Sequence, residues 1–248
     1  MKNLTKLAAL LLAATAATAT PAMAQEEAAD SITLAGSAGL VSQYRFRGIS
    51  LSDEELAAQA GISATHESGF YVGTWASSLA GFGSFGGSNV ELDIYGGYST
   101  ALSESTTVDV GLLWYLYPGT DGTDYAEPYA SIKTTFGAAT AKLGVAYAPD
   151  QDAIGSGDNL YVYGDLSTGF AESPVVVKAH LGYSTGDSGL TPTGDYLDWL
   201  VGADFTWKSL TFGVAYVDTD ISGGDAAAAA FDRDIVDSAV VFSLTAAF

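Results

Sequence analysis

TVDVGLLWYLY, Thr107–Tyr117, carries an apolar side chain at every second position: Val108, Val110, Leu112, Trp114 and Leu116. Asp109, Gly111 and Tyr115 stand between them. Successive side chains of an extended strand leave opposite faces, whereas a helix groups apolar residues three and four apart. The stretch is therefore a half-apolar strand, and the same pattern spreads outward from it. VELDIYGGYST (Val90–Thr100) sets Val90, Leu92, Ile94 and Tyr98 against Glu91, Asp93 and Ser99. TAKLGVAY sets Leu143, Val145 and Tyr147 against Lys142 and Gly144, and VVVKAHLGY sets Val177, Ala179, Leu181 and Tyr183 against Lys178, His180 and Gly182. LTFGVAY adds Leu210, Phe212, Val214 and Tyr216. Residues 70–78 alone resist assignment, because Phe70, Tyr71, Val72 and Trp75 do not separate by parity.

The connections alternate as well. His66–Gly69, Ser103–Ser105, Gly137–Ala139, Ala171–Pro174 and Lys208–Ser209 are short; Gly48–Glu54, Ala80–Ser88, Pro118–Glu127, Pro149–Asn159, Gly186–Asp195 and Ile221–Asp237 are long. Short turns at one end and long loops at the other mark a transmembrane antiparallel up-and-down barrel, with periplasmic turns and extracellular loops. About twelve strands of the length a tilted span needs fit the chain. A soluble β-sandwich would also alternate, but it needs no strict succession of short and long connections. The last strand, SAVVFSLTAAF, alternates Val240, Phe242, Leu244 and Ala246 and ends on Phe248. That aromatic end resembles the signal read by the barrel-assembly machinery of Gram-negative bacteria.

Composition narrows the class further. The chain holds 29 Asp and Glu against 9 Lys and Arg, for a net charge of −20, and it has no cysteine. Nucleic acid is excluded as a partner by the lack of a basic patch. Disulfides and thiol or cysteine–zinc chemistry are excluded outright. MKNLTKLAALLLAATAATATPAMA has a basic head, an apolar middle and Ala22-Met23-Ala24, the layout of a signal peptide over residues 1–24. Residues 25–30 would then form a short periplasmic segment and 31–248 the barrel. No later apolar run reaches the roughly 20 residues of a spanning helix, which leaves a closed barrel as the membrane-compatible fold.

From Leu40 to Ser77 the chain reads LVSQYRFRGISLSDEELAAQAGISATHESGFYVGTWAS. The segments SQYRFRGIS and GFYVGTWAS, with ELDIYGGY (Glu91–Tyr98), resemble the TorF-type porins, a family of Gram-negative outer-membrane proteins. The resemblance covers essentially the whole chain after residue 24. It implies an outer-membrane barrel with pore activity and supplies no substrate and no catalytic residues. The expectation is then diffusion of small polar solutes through a barrel bathed in outer-membrane lipid and lipopolysaccharide, with no cofactor and no metal.

If the apolar faces meet lipid, the alternate faces line the lumen. Period two places Ser37, Gln43, Arg45 and Arg47 there from the first strand, with Tyr44 and Phe46 toward the lipid at the outer aromatic girdle. Arg45 and Arg47 then face carboxylates such as Glu91 and Asp93. Further lumen residues are Tyr95, Asp109, Tyr115, Lys133, Lys142, Tyr161, Tyr163, Asp165, Lys178, His180, Asp198 and Asp204. The arrangement suggests a basic ladder facing an acidic one; the alternative is ion pairs that fill a narrow barrel. No long loop announces itself as folding inward.

Asp53, Glu54, Glu55, Asp121, Asp124, Glu127, Asp150, Asp152, Asp158, Asp218, Asp220, Asp225, Asp232 and Asp234, with Arg233 among them, make the long-loop mouth acidic, a field that concentrates cations. PDQDAIGSGDN fails the calcium-loop pattern, since Ile154 falls where an oxygen ligand is needed. GDAAAAAF could form a helical turn capped by Asp225. His66 and His180 sit in no nucleophile motif, so a hydrolase is the lesser alternative, beside a closed adhesive or structural barrel.

Overall fold

The computed structural model describes residues 31–81, 87–191, 194–221 and 235–248. The leader, the 25–30 segment, Asp225, Asp232, Arg233 and Asp234 lie outside them. Twelve strands close into one antiparallel barrel. They are β1 (Ile32–Val41), β4 (Ala57–His66), β5 (Phe70–Ser78), β6 (Val90–Ala101), β7 (Thr106–Leu116), β8 (Tyr125–Phe136) and β9 (Ala139–Ala148). The set is completed by β10 (Asn159–Gly169), β11 (Val175–Gly186), β12 (Tyr196–Trp207), β13 (Leu210–Thr219) and β14 (Ala239–Ala247). Two further two-residue strands, β2 (Arg45–Phe46) and β3 (Ile49–Ser50), pair only with each other. Each barrel strand pairs with its chain neighbours and β1 closes on β14, so the even count returns both barrel ends to the short-turn side.

The outer surface is apolar, as the alternation requires. Leu34, Ile62, Val110, Leu143, Val201 and Phe242 are among the exposed residues. Two aromatic girdles bound this belt. Trp114, Tyr147, Tyr183, Trp199 and Tyr216 lie toward the long loops, and Phe70, Tyr98, Phe136, Phe170, Trp207 and Phe248 toward the short turns. Trp199 and Trp207, eight residues apart on β12, span roughly 26 Å of strand, the order of the apolar band of such barrels. In the upper girdle a tyrosine hydroxyl repeatedly donates to an aspartate: Tyr147 to Asp158 at 2.9 Å, Tyr183 to Asp195 at 2.8 Å and Tyr216 to Asp218 at 2.7 Å.

The closing seam is short, with five residue pairs between β1 and β14. Phe248 extends it through two backbone bonds with Gly36, at 2.8 and 2.9 Å. A Cβ on Gly36 would stand 2.5 Å from the Phe248 ring, so the terminal aromatic lies directly across that glycine.

The ambiguous stretch resolves cleanly on β5. Tyr71, Trp75 and Ser77 point inward, and Phe70 and Val72 point outward. One expectation is overturned. β1 ends at Val41, and the connection 42–56 turns into the barrel as the β2–β3 hairpin instead of continuing as strand.

Candidate functional site: the lumen and its mouth

Charged lumen residues occupy only part of the circumference. The inward faces of β13, β14, β1 and β4 carry Ala215, Val217, Val241, Ser243, Gly39, Gly61 and Ser63. The inward faces of β6 to β12 carry Glu91, Asp93, Asp109, Glu127, Lys133, Lys142, Asp165, Lys178, His180, Asp198 and Asp204. Acids and bases therefore interleave on one wall, and the ladders expected to face each other across the lumen are not formed. Lys142 stands opposite both Asp165 and Lys133 in register, and Lys178 grips both oxygens of Asp204 at 2.8 and 2.9 Å.

The charged wall has two tiers along the barrel axis. The upper tier, near the long loops, holds Glu91, Asp93, Glu127 and Asp198, each at most 3% exposed. The lower tier, toward the short turns, holds Asp109, Lys133, Lys142, Asp165, Lys178 and Asp204. Several of these stay part-exposed, as do the small hydroxylic residues around them. His180 sits where the tiers meet. Its Nδ1 is 2.6 Å from Asp165, and its Nε2 is 2.8 Å from the Tyr161 hydroxyl and 3.2 Å from Asp198.

The hairpin makes the upper tier dry. Tyr44 and Phe46, expected at the lipid girdle, are instead buried inside the barrel at 3% and 8% exposure. The Tyr44 hydroxyl donates to Glu91 at 2.6 Å, its ring meets Trp75 edge-on at 5.4 Å, and Phe46 meets Tyr115 edge-on at 5.9 Å. Burial pushes the Tyr44 hydroxyl up, with Glu91 and Asp93 adding to the shift, so it remains a donor. Arg45 meets neither Glu91 nor Asp93. It bonds Gln43, Glu54 and the carbonyls of Gly48, Ile235 and Asp237, tying the hairpin to the last long loop.

Arg47 sits at the hairpin tip and crosses to the far wall. Its guanidinium donates to Asn159 Oδ1 at 2.6 Å on β10 and pairs with Glu127 on β8. The ring of Tyr161 lies 4.2 Å from the guanidinium carbon and that of Phe46 4.8 Å, both cation–π contacts. Arg47 and Gly48 both take the left-handed backbone, with φ 48° and 83°. A Cβ on Gly48 would stand 2.3 Å from Thr219, so only glycine fits where the tip meets the wall.

Glu127 was expected on the acidic loop rim, yet it lies 3% exposed on the inward face of β8. Its parity with Lys133 was the signal that could have placed it there. Asn159 also escaped sequence reasoning, as did Tyr125, which stacks on the expected lumen residue Tyr115 with centroids 4.4 Å apart. The tyrosine arrangement has its own logic below the hairpin. Tyr95 lies across Gly73, Tyr71 across Gly97, Tyr129 across Gly111 and Tyr163 across Gly144, each pair directly opposite in register. An inward tyrosine can lie flat along the wall because its partner has no side chain. His66 faces outward at a short turn, where its Nδ1 meets the Ser68 hydroxyl at 2.7 Å and backbone N–H at 3.1 Å. His180 meets carboxylates and a phenol, not a serine.

Solved structures share this architecture. The KdgM porin superposes with a TM-score of 0.57 at 10% identity, over 86% of this chain and 98% of that one. The NanC porin gives 0.56 at 10%, over 87% and 99%, and an outer membrane channel from Pseudomonas putida F1 gives 0.51 at 9%, over 92% and 99%. The fold is thus that of a porin-like barrel. The chain itself belongs to the family described as a bacterial protein of unknown function (Gcw_chp), whose model matches residues 25–248. No curated protein matches the sequence.

Proposed function

We propose that this chain is a channel of the Gram-negative outer membrane, a TorF-type porin, that passes small polar solutes by diffusion and is held shut at its long-loop mouth by the hairpin in segment 42–56. The leader 1–24 would direct export, and Phe248 would present the closing strand to the barrel-assembly machinery. The observation that carries the reading is the contrast within one closed barrel: an apolar exterior between two girdles, and a polar lower lumen that water reaches. Twelve strands lie between the eight that side chains just fill and the sixteen that leave a wide aqueous channel. The acidic loop rim favours cations at the entrance, more weakly as salt rises.

The packed upper tier favours a second reading, a structural or adhesive barrel that never opens. Planar-bilayer recording of the refolded chain after residue 24 separates the two. The wild type is expected to give rare, small steps. Replacement of Arg45–Ser50 by a glycine-serine link is expected to give frequent, larger, cation-preferring steps. A folded barrel that stays silent after this replacement eliminates the channel.

A further inference from the structure

Arg47 does more than bridge the lumen. Glu127 supplies one carboxylate oxygen to it, and the other oxygen accepts from the Tyr115 hydroxyl at 3.2 Å. Asn159 presents its carbonyl oxygen to Arg47 while its amide nitrogen donates to Ser184 Oγ at 2.9 Å and to the Thr185 carbonyl at 3.2 Å. The Tyr161 ring forms the third side, and its hydroxyl is held at 3.0 Å by Asp198. All three sides belong to the barrel wall, on β8 and β10, rather than to the hairpin.

We infer that this pocket is a binding site for solutes bearing a guanidinium or primary ammonium group, and that Arg47 is its tethered occupant. The inference rests on the channel reading, because a solute reaches the pocket only past a withdrawn hairpin. A carboxylate paired with an amide oxygen suits a forked donor. The flat face of Tyr161 adds attraction for a weakly hydrated organic cation. An anion would meet Glu127 head-on. The surroundings point the same way: Asp93, two strands from Glu127, has a buried Oδ1 with no hydrogen-bond partner, an acceptor open to a further donor. Removing Arg47 takes away the guanidinium that pairs with Glu127, and the acidic rim above raises the local concentration of cations. The pocket would thus take as substrate the same chemistry that the hairpin uses to close it.

Chemical rescue tests the site. The Arg47→Ala channel is recorded and melted in millimolar guanidinium chloride, far below its denaturing range, and in sodium chloride of equal ionic strength. Guanidinium is expected to raise the unfolding temperature of R47A and to block its current. The block should come at about one tenth of the concentration needed in R47A/E127Q, the ratio that one charged hydrogen bond supplies. The wild type, with its pocket filled, should show neither effect. If R47A conducts and melts alike in both salts, the site is overturned and the channel reading stands. If R47A and the barrel with Arg45–Ser50 replaced both fold and stay silent, the channel reading falls and the site with it. If R47A assembles only with guanidinium present, the site is supported. If it assembles in neither salt while R47A/E127Q assembles, the site is overturned.

Discussion

Two ion pairs in this lumen look alike in sequence and differ in kind. Arg47–Glu127 in the upper tier has both side chains only 3% exposed; Lys178–Asp204 in the lower tier is 21% and 10% exposed. The first joins a hairpin to a strand and is enclosed by aromatic rings. The second joins adjacent strands and borders water. A charge taken wholly out of water depends on its partner, whereas a charge beside water can be rehydrated when its partner is lost. The upper tier is therefore a lock, and the lower tier a wall.

The lock gives the largest expected effect. Glu127→Ala strands a buried guanidinium, and removing one partner of such a pair costs about 3–5 kcal/mol. On the channel reading the barrel has another way out, withdrawal of the hairpin with Arg47 carried to solvent. E127A is therefore expected to lose hairpin protection in hydrogen exchange at Tyr44–Leu51 before the barrel strands lose theirs. Uniform loss of protection across hairpin and strands would show that the pair stabilises the whole barrel and is no lock.

The strands were legible because their alternation is a direct print of burial: apolar residues meet lipid on one face and polar ones meet the lumen on the other. The hairpin was not legible for the same reason. Tyr44, Arg45, Phe46 and Arg47 alternate just as well, so SQYRFRG imitates one more turn of strand. What differs is the environment of the aromatics, which pack on Trp75 and Tyr115 inside the barrel. A period cannot tell apolar burial in a lumen from apolar contact with lipid. Gly48 following Arg47 was the one local hint of a reversal, and the left-handed φ of both residues shows why a turn falls there. Glu127 was misplaced because YAEPYASIK offers few strong apolar residues to set its parity; Ala126, Pro128 and Ala130 form a weak outward face.

Between lock and wall lies the belt of tyrosines laid over glycines, and it yields an intermediate effect. A Cβ at Gly144 would stand 2.3 Å from the Tyr163 ring, and one at Gly73 would stand 2.3 Å from the Tyr95 ring. Gly144→Val is expected to lift Tyr163 off the wall and into the bore. Overpacking of this kind costs about 1–3 kcal/mol. In the hairpin-replaced channel the added bulk should lower single-channel conductance, and the double variant Gly144→Val with Tyr163→Ala should restore it. An unchanged conductance in Gly144→Val would mean that the bore at this level is set by other residues.

The wall gives the smallest effect on stability and the most informative one on permeation. Asp204→Ala removes the carboxylate that holds Lys178 at two points, but the lysine keeps access to water. The expected loss is about 1 kcal/mol or less, shrinking further in high salt. The released ammonium adds a positive charge to the lower lumen, so the hairpin-replaced channel should shift toward anions, and Lys178→Ala should shift it toward cations. Reversal potentials in a potassium chloride gradient measure both variants on one scale. If they move in the same direction, the pair acts through structure and not through its charges, and the distinction between a solvated wall and a dry lock fails at its lower end.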